Sequence, residues 1–151
     1  KVKIAHSSSV FSSLFSIVIS SYKIGKVITI PLKSKITEMP KSLYDAIKFN
    51  KQNNLHTICL LDIDLENNEL LEVSDALKFL LELENNFREN VLSENDFVAI
   101  ASRLGYEDER VYFDSIKNLM NKKIPLPAII ILLSKLSSIE KESLELIAEK
   151  V

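Results

Sequence analysis

The chain has 151 residues, 46% hydrophobic and 26% charged, with 19 Lys and Arg against 21 Asp and Glu for a net charge of −2. That length holds one domain with a real core and not comfortably two, and a near-neutral balance lacks the clustered basic face that nucleic acid demands. No apolar run reaches the roughly 18 residues of a membrane span; the longest, Pro127 to Leu133 (PAIIILL), has the length of a buried strand.

In chain order the segments alternate. Lys1 to Ala5 reads as the second half of a half-buried strand, Ser7-Ser8-Ser9 as a strand-to-helix loop, and a helix begins near Val10. Gly25 breaks that pattern, and Lys26 to Ile30 (KVITI) is a β-branched strand followed by a loop from Pro31 to Pro40. Ser42 with Asp45 resembles a capping box opening a helix whose inner face carries Leu43, Ala46 and Ile47.

HTICLLDI, from His56 to Ile63, predicts a strand buried on both faces. An acidic turn follows, and then Val73, Ala76, Leu80, Leu83 and Phe87 mark one stripe of a helix. Phe97 to Ile100 is another buried strand, closed by Arg103-Leu104-Gly105, and Val111 to Phe113 a shorter one before a helical turn around Ile116 to Met120. The PAIIILL strand leads into a last helix, with a capping box at Ser137 and Glu140 and an inner face of Leu144, Ile147 and Val151. Strands and helices taking turns at this spacing predict a single α/β domain over residues 1–151, a mixed β-sheet flanked by helices.

Candidate chemistry is sparse. Two glycines, Gly25 and Gly105, cannot make a dinucleotide fingerprint or a phosphate-binding loop. The single cysteine, Cys59, sits in an apolar run as a small hydrophobe, which suits a cytoplasmic compartment. Asp62, Asp64 and Glu66 at the end of a buried strand could hold a cation or form a solvated turn before a helix; the turn is the simpler reading. His56 has no nucleophile partner in view and reads as a hydrogen-bonded structural residue, whereas His6 flanks the serine loop. The serine backbone and hydroxyls could hold carboxylate or phosphate-like oxygens, or simply cap the helix that follows.

The series HSSSVFS, YKIGKVITIP, SLYDAIKFNKQNNLHTICLLDI, FVAIASRLG and SKLSSIEKESLELIA resembles diphthine synthase, of the tetrapyrrole-methylase class. Tyr44 to Ile63 is the most specific stretch. The resemblance spans the chain but implies only the C-terminal domain of a two-domain methyltransferase, whose first domain would carry the glycine-bearing loops that clasp the cofactor.

It further implies S-adenosyl-L-methionine as cofactor, translation elongation factor 2 as the methylated protein through a modified histidine, and a homodimer. Isolated, the chain is expected to bind the cofactor poorly. The family's cofactor contacts fall on Ser9, Val10, Leu61, Leu104 and Ala128. Ala128 departs from the family, which has His there in a Pro-Pro-His step. Ser137 stands for a second family His; Lys135 and Leu136 survive, and Ser134 stands for a Gly. No catalytic side chain and no metal ligand are implied. Two other readings keep the fold: a binding or dimerisation module, and a small-molecule tetrapyrrole methyltransferase.

Overall fold

The computed structural model describes residues 23–149, so the opening strand, the serine loop, the helix expected from Val10 and Val151 lie outside the described residues. The described elements run β1 (Ile28–Ile30), α1 (Lys41–Gln52), β2 (Thr57–Leu61), β3 (Ile63–Asp64), β4 (Glu69–Leu70), α2 (Val73–Phe87), β5 (Phe97–Ser102), β6 (Arg110–Ser115), α3 (Ile116–Leu119), β7 (Ala128–Leu132) and α4 (Ser138–Ile147). The sheet order is β1-β2-β7-β5-β6, with β1 parallel to β2 and every other pair antiparallel. This is the expected α/β fold with a mixed sheet.

The apolar runs that made β2, β5 and β7 legible are strands with both faces covered. Val98 and Ile100 of β5, Cys59 of β2 and Ile130 of β7 enter one cluster, with Tyr44 and Ile47 of α1, Leu77, Leu80 and Leu83 of α2, and Leu119 of α3. Ala99, Ala101, Ile58 and Ile131, the alternate residues, enter a second cluster with Leu144 of α4. Each fully buried leucine of the α2 stripe contributes about 2 kcal/mol.

Several boundaries differ from the sequence reading. β1 starts at Ile28 because the Asn50 amide takes both main-chain groups of Lys26: Lys26 N–H donates to Oδ1 at 2.8 Å and Nδ2 donates to its carbonyl at 2.8 Å. Gly25 is required there, since a Cβ would lie 2.2 Å from the Asn50 Oδ1. The capping box expected at Ser42 and Asp45 does not form. Pro40 occupies the N-cap with no side-chain cap, and Asp45 pairs with Lys41 at 3.2 Å instead. The acidic turn is the tip of a hairpin, β3 paired with β4. β6 runs six residues rather than three, drawn out by full pairing with β5 from Ser102–Arg110 to Phe97–Ser115. Of the inner face expected for α4, Leu144 is buried but Ile147 is 43% exposed.

A carboxylate braces α1, α2 and the segment after them. Glu84 accepts from the Tyr44 hydroxyl (2.7 Å) and the N–H groups of Asn90 (2.8 Å), Val91 (2.9 Å) and Leu92 (2.8 Å). Burial alone would raise its pKa, but the Leu92 amide, the Tyr44 hydroxyl and the Asn90 and Val91 amides together lower it. With the folded value below the unfolded one, this stabilisation is complete above the ordinary carboxylate range and lost as pH falls through the folded pKa. Glu84→Gln should therefore lose about 1–3 kcal/mol at pH 7 by urea unfolding. The deficit should shrink in acid, and a variant as stable as the parent at pH 7 would contradict this account.

Candidate functional site at the parted end of β2 and β7

The ladder between β2 and β7 ends at Cys59–Ile130, although its register, continued for two residues, would bring Leu61 opposite Ala128. The flanking ladders do not stop there. β1 still pairs with β2 at Ile30–Leu61, and β5 with β7 at Ser102–Ala128. Two neighbouring strands thus part at one end of the sheet while each stays fastened to its outer neighbour. The parting lies where strand direction changes, beside the carboxyl end of β2, the usual location of a ligand crevice in open α/β sheets.

A cavity of about 210 Å³ opens in this gap. Leu61, Ile63, Leu70 and Leu71 form one side, and Leu126, Pro127 and Ala128 the other, with Asp62 the single charged residue of the lining. The wall is therefore apolar in its side chains, and polar contacts are left to strand edges that the ladder no longer uses.

Each side of the gap is held by a polar clamp. On the β2 side, Asp62 N–H donates to the Ile30 carbonyl (3.1 Å), and its carboxylate accepts from Leu32 N–H (3.3 Å), Ile63 N–H (2.9 Å) and Lys35 Nζ (3.0 Å). The Lys35 ammonium is the main cause that holds the Asp62 carboxyl below its usual range. On the β7 side, Ser102 and Arg103 grip three successive carbonyls. Ser102 Oγ donates to Pro125 O (2.6 Å), Arg103 Nη1 to Leu126 O (3.1 Å) and Arg103 N–H to Pro127 O (2.7 Å). Asp108 fixes the guanidinium from behind at 2.8 Å, and Arg103 itself sits at φ 53.

The structure brings Leu61 and Ala128 together across the cavity. Leu104 lies at the same end of the sheet but packs into the second cluster, on the opposite face. Ser9 and Val10 lie outside the described residues, as does His6. The Ser102–Arg103 grip was missed in the sequence, where Arg103 marks only the end of a buried strand.

The remaining candidates have structural duties. Asp64 Oδ1 accepts from Glu66 and Asn67 N–H at 3.1 and 3.0 Å, which closes the hairpin turn. Cys59 is fully buried, and burial pushes its thiol up. His56 is fully buried at the far end of β2; its Nδ1 accepts Ser134 N–H at 3.0 Å, so the ring proton belongs on Nε2, 3.5 Å from Glu140. Burial lowers the His56 pKa more than Glu140 raises it, and Lys23 lowers it further. Burial thus disfavours the charged ring, and Nε2 has no hydrogen-bond partner among the described residues.

No family model matches the chain. Among curated proteins it is 33% identical to the diphthine synthase of Methanococcus maripaludis over 153 residues, covering all of this chain and 59% of the relative. It is 31% identical to that of Methanocaldococcus jannaschii, covering 60% of it, and 42% identical over 95 residues to that of Saccharolobus islandicus, across 62% of this chain and 35% of the relative. The chain is a homologue of diphthine synthase. It spans about 60% of the length of its first two relatives and matches their C-terminal part. A solved structure assigned as diphthine synthase from Entamoeba histolytica superposes with a TM-score of 0.86 over all of this chain and 61% of its own, at 24% identity. Another diphthine synthase structure gives 0.76 over 95% of this chain and 53% of its own, at 21% identity. At those identities the likeness speaks for the fold.

Arg103→Met should free the Leu126 carbonyl while keeping the side chain's bulk. Amide exchange at Ala128 should then rise at least about tenfold, with about 1.5–3 kcal/mol of stability lost. Unchanged exchange at Ala128 would show that the grip does not set this wall. His56 should stay neutral on NMR titration through the pH range where an ordinary histidine charges. The unfolded chain takes up that proton first, so the histidine contributes a loss of stability as pH falls.

Proposed function

We propose that this chain is the C-terminal part of an S-adenosyl-L-methionine-dependent methyltransferase that acts on the modified histidine of translation elongation factor 2 in diphthamide synthesis. In this reading it supplies one wall of the cofactor cleft. The observation that carries the proposal is the cavity between Leu61 and Ala128, at two positions where the family resemblance puts cofactor contacts, in a chain homologous to diphthine synthases throughout.

The residues fit such a ligand in kind. Leu61, Leu71 and Leu126 offer apolar surface to an adenine ring or methionine carbons, and the parted strand edges offer main-chain donors and acceptors. Ser9 and Val10 belong to the same wall in this proposal, while Leu104 packs on the other face of the sheet. The cofactor, when bound, supplies a methyl group already activated on a sulfonium. This chain's part is to hold the acceptor nitrogen in line with that methyl and to keep water away, which needs orientation more than acid–base chemistry. Asp62 is not a general base here, because its carboxylate is occupied by Lys35 and two amides. The preceding domain of the full-length protein closes the other side.

The test is methyl transfer by the full-length protein to elongation factor 2 bearing the diphthamide intermediate. Label should appear on that histidine; none on the factor, or label on a tetrapyrrole instead, sinks the proposal. Ala128→Leu, which fills part of the cavity, should raise the KM for S-adenosyl-L-methionine about tenfold, as an added branched side chain of about 1–3 kcal/mol in a hydrophobic site would. An unchanged cofactor KM would remove Ala128 from the site.

A further inference from the structure

We infer that Lys35 sets the charge selectivity of the cavity between β2 and β7: it cancels Asp62, so that a positively charged ligand gains little over a neutral one of the same shape. The inference rests on the methyltransferase reading above and adds a specificity-determining residue to it. Asp62 is the single charged residue of the cavity lining. A cavity of about 210 Å³ is of the order of one Debye length across, about 8 Å in physiological salt, so charge on its wall is felt throughout it.

The sequence leaves that carboxylate without a local counterion. Between Lys51 and Lys78 there is no lysine or arginine, while the hairpin and its root carry Asp62, Asp64, Glu66 and Glu69. The cation comes instead from the loop after β1. Lys35 ends the short turn Lys33–Lys35, and its N–H donates to the carbonyl of buried Leu32 at 3.0 Å. The neighbouring Ser34 hydroxyl donates to Glu69 at 2.8 Å, which fastens the turn to the hairpin. Held in this way, the Lys35 ammonium lies 3.0 Å from Asp62 Oδ2, the only ion pair to any of those four carboxylates among the described residues. The bond to Asp62, with the charges of Asp62, Asp64 and Glu69, raises the Lys35 pKa above its ordinary value.

Charge matters in this cavity because the proposed reaction moves it. The carbon–sulfur bond breaks with its electron pair left on sulfur while the acceptor nitrogen's lone pair forms the carbon–nitrogen bond, so positive charge passes from the sulfonium to the acceptor. S-adenosyl-L-methionine therefore binds as a sulfonium, and S-adenosyl-L-homocysteine leaves as a neutral thioether of nearly the same shape. A bare carboxylate in the wall would hold the cation most tightly before transfer, which deepens the ground state without lowering the barrier. Paired with Lys35, Asp62 keeps its amide bonds to Leu32 and Ile63, which fasten the end of β2, and presents little net charge to the ligand.

The experiment measures dissociation constants of the full-length protein for the two compounds by calorimetry. Lys35→Met keeps the side chain's length and leaves both amides on Asp62; it should raise the ratio of the thioether constant to the sulfonium constant about fivefold. Asp62→Asn, which leaves the Lys35 ammonium unpaired, should lower that ratio about fivefold. Lys35→Arg should hold it within about twofold of the parent. Lys33→Met, in the same turn but with its ammonium 3.7 Å from Glu82, should also leave the ratio alone and so separates position from net charge. Loss of stability or of cavity shape weakens both ligands together and does not move the ratio. If Lys35→Met and Asp62→Asn both keep the ratio within about twofold of the parent, or Lys33→Met shifts it as far as Lys35→Met, the inference is wrong and the methyltransferase reading stands. If the parent binds neither compound, the methyltransferase reading falls and takes this inference with it.

Discussion

β2 and β7 are hydrogen-bonded from Thr57–Leu132 to Cys59–Ile130 and then separate, while each remains paired to its outer neighbour. Separation of two paired strands inside a sheet leaves main-chain groups without ladder partners, which is tolerable only if other bonds hold the strands apart. Asp62 and the Ser102–Arg103 pair supply those bonds. The first ties the end of β2 outward to the segment after β1, and the second ties the approach to β7 outward to β5. Both clamps pull away from the gap. The cavity between Leu61 and Ala128 follows from that geometry, with the small Ala128 on its β7 side.

The opposite end of the same strands is locked. Asn50, fully buried, joins Lys26 and Thr57, and His56 joins Ser134, with Glu140 capping the corner and reaching Lys23 at 2.7 Å. Asn50 is bonded through both ends of its amide, so breaking either bond strands its partner in the interior, whereas His56 Nε2 and Ser134 Oγ have no hydrogen-bond partner among the described residues. α1 and α2 are further tied through Tyr44 and Glu84, and Glu89 bridges Lys41 and Lys48. The sheet is thus tied by side-chain bonds at the His56 end and parted at the Leu61 end.

The strands that were legible in the sequence are those buried on both faces. In TICLL, FVAIAS and AIIIL nearly every residue is apolar, whichever side it points to, so a run of this kind announces itself without knowledge of its partners. α2 was legible for the related reason that its stripe repeats at helical spacing. The sequence reading failed where a side chain, not a pattern, sets the boundary. Asn50 shortens β1, Asp45 prefers Lys41 to a cap, and β6 is prolonged by pairing with β5. The same limit applies to the site. Leu61 and Ala128 came from a family resemblance and do meet across a cavity, but the Ser102–Arg103 grip depends on three carbonyls 23 or 24 residues away, which no local spacing encodes.

The two places where the chain lacks a histidine expected from the family have different physical meanings. Ser137 has a use of its own: its hydroxyl accepts Glu140 N–H at 3.2 Å while Glu140 accepts Ser137 N–H at 2.8 Å, a reciprocal cap that starts α4. The same Glu140 faces Lys23 and His56, so the serine helps to aim the carboxylate at the His56 end of the sheet. Ala128 has no such substitute role. It is a small, buried residue on the cavity side of β7, where a histidine would fill space and offer a hydrogen bond. The first change is thus absorbed into the fold, and the second leaves a small buried residue beside the cavity. The shape of that cavity depends on the strand edges on either side of the gap, and hence on Arg103 and Asp62, which tie them outward.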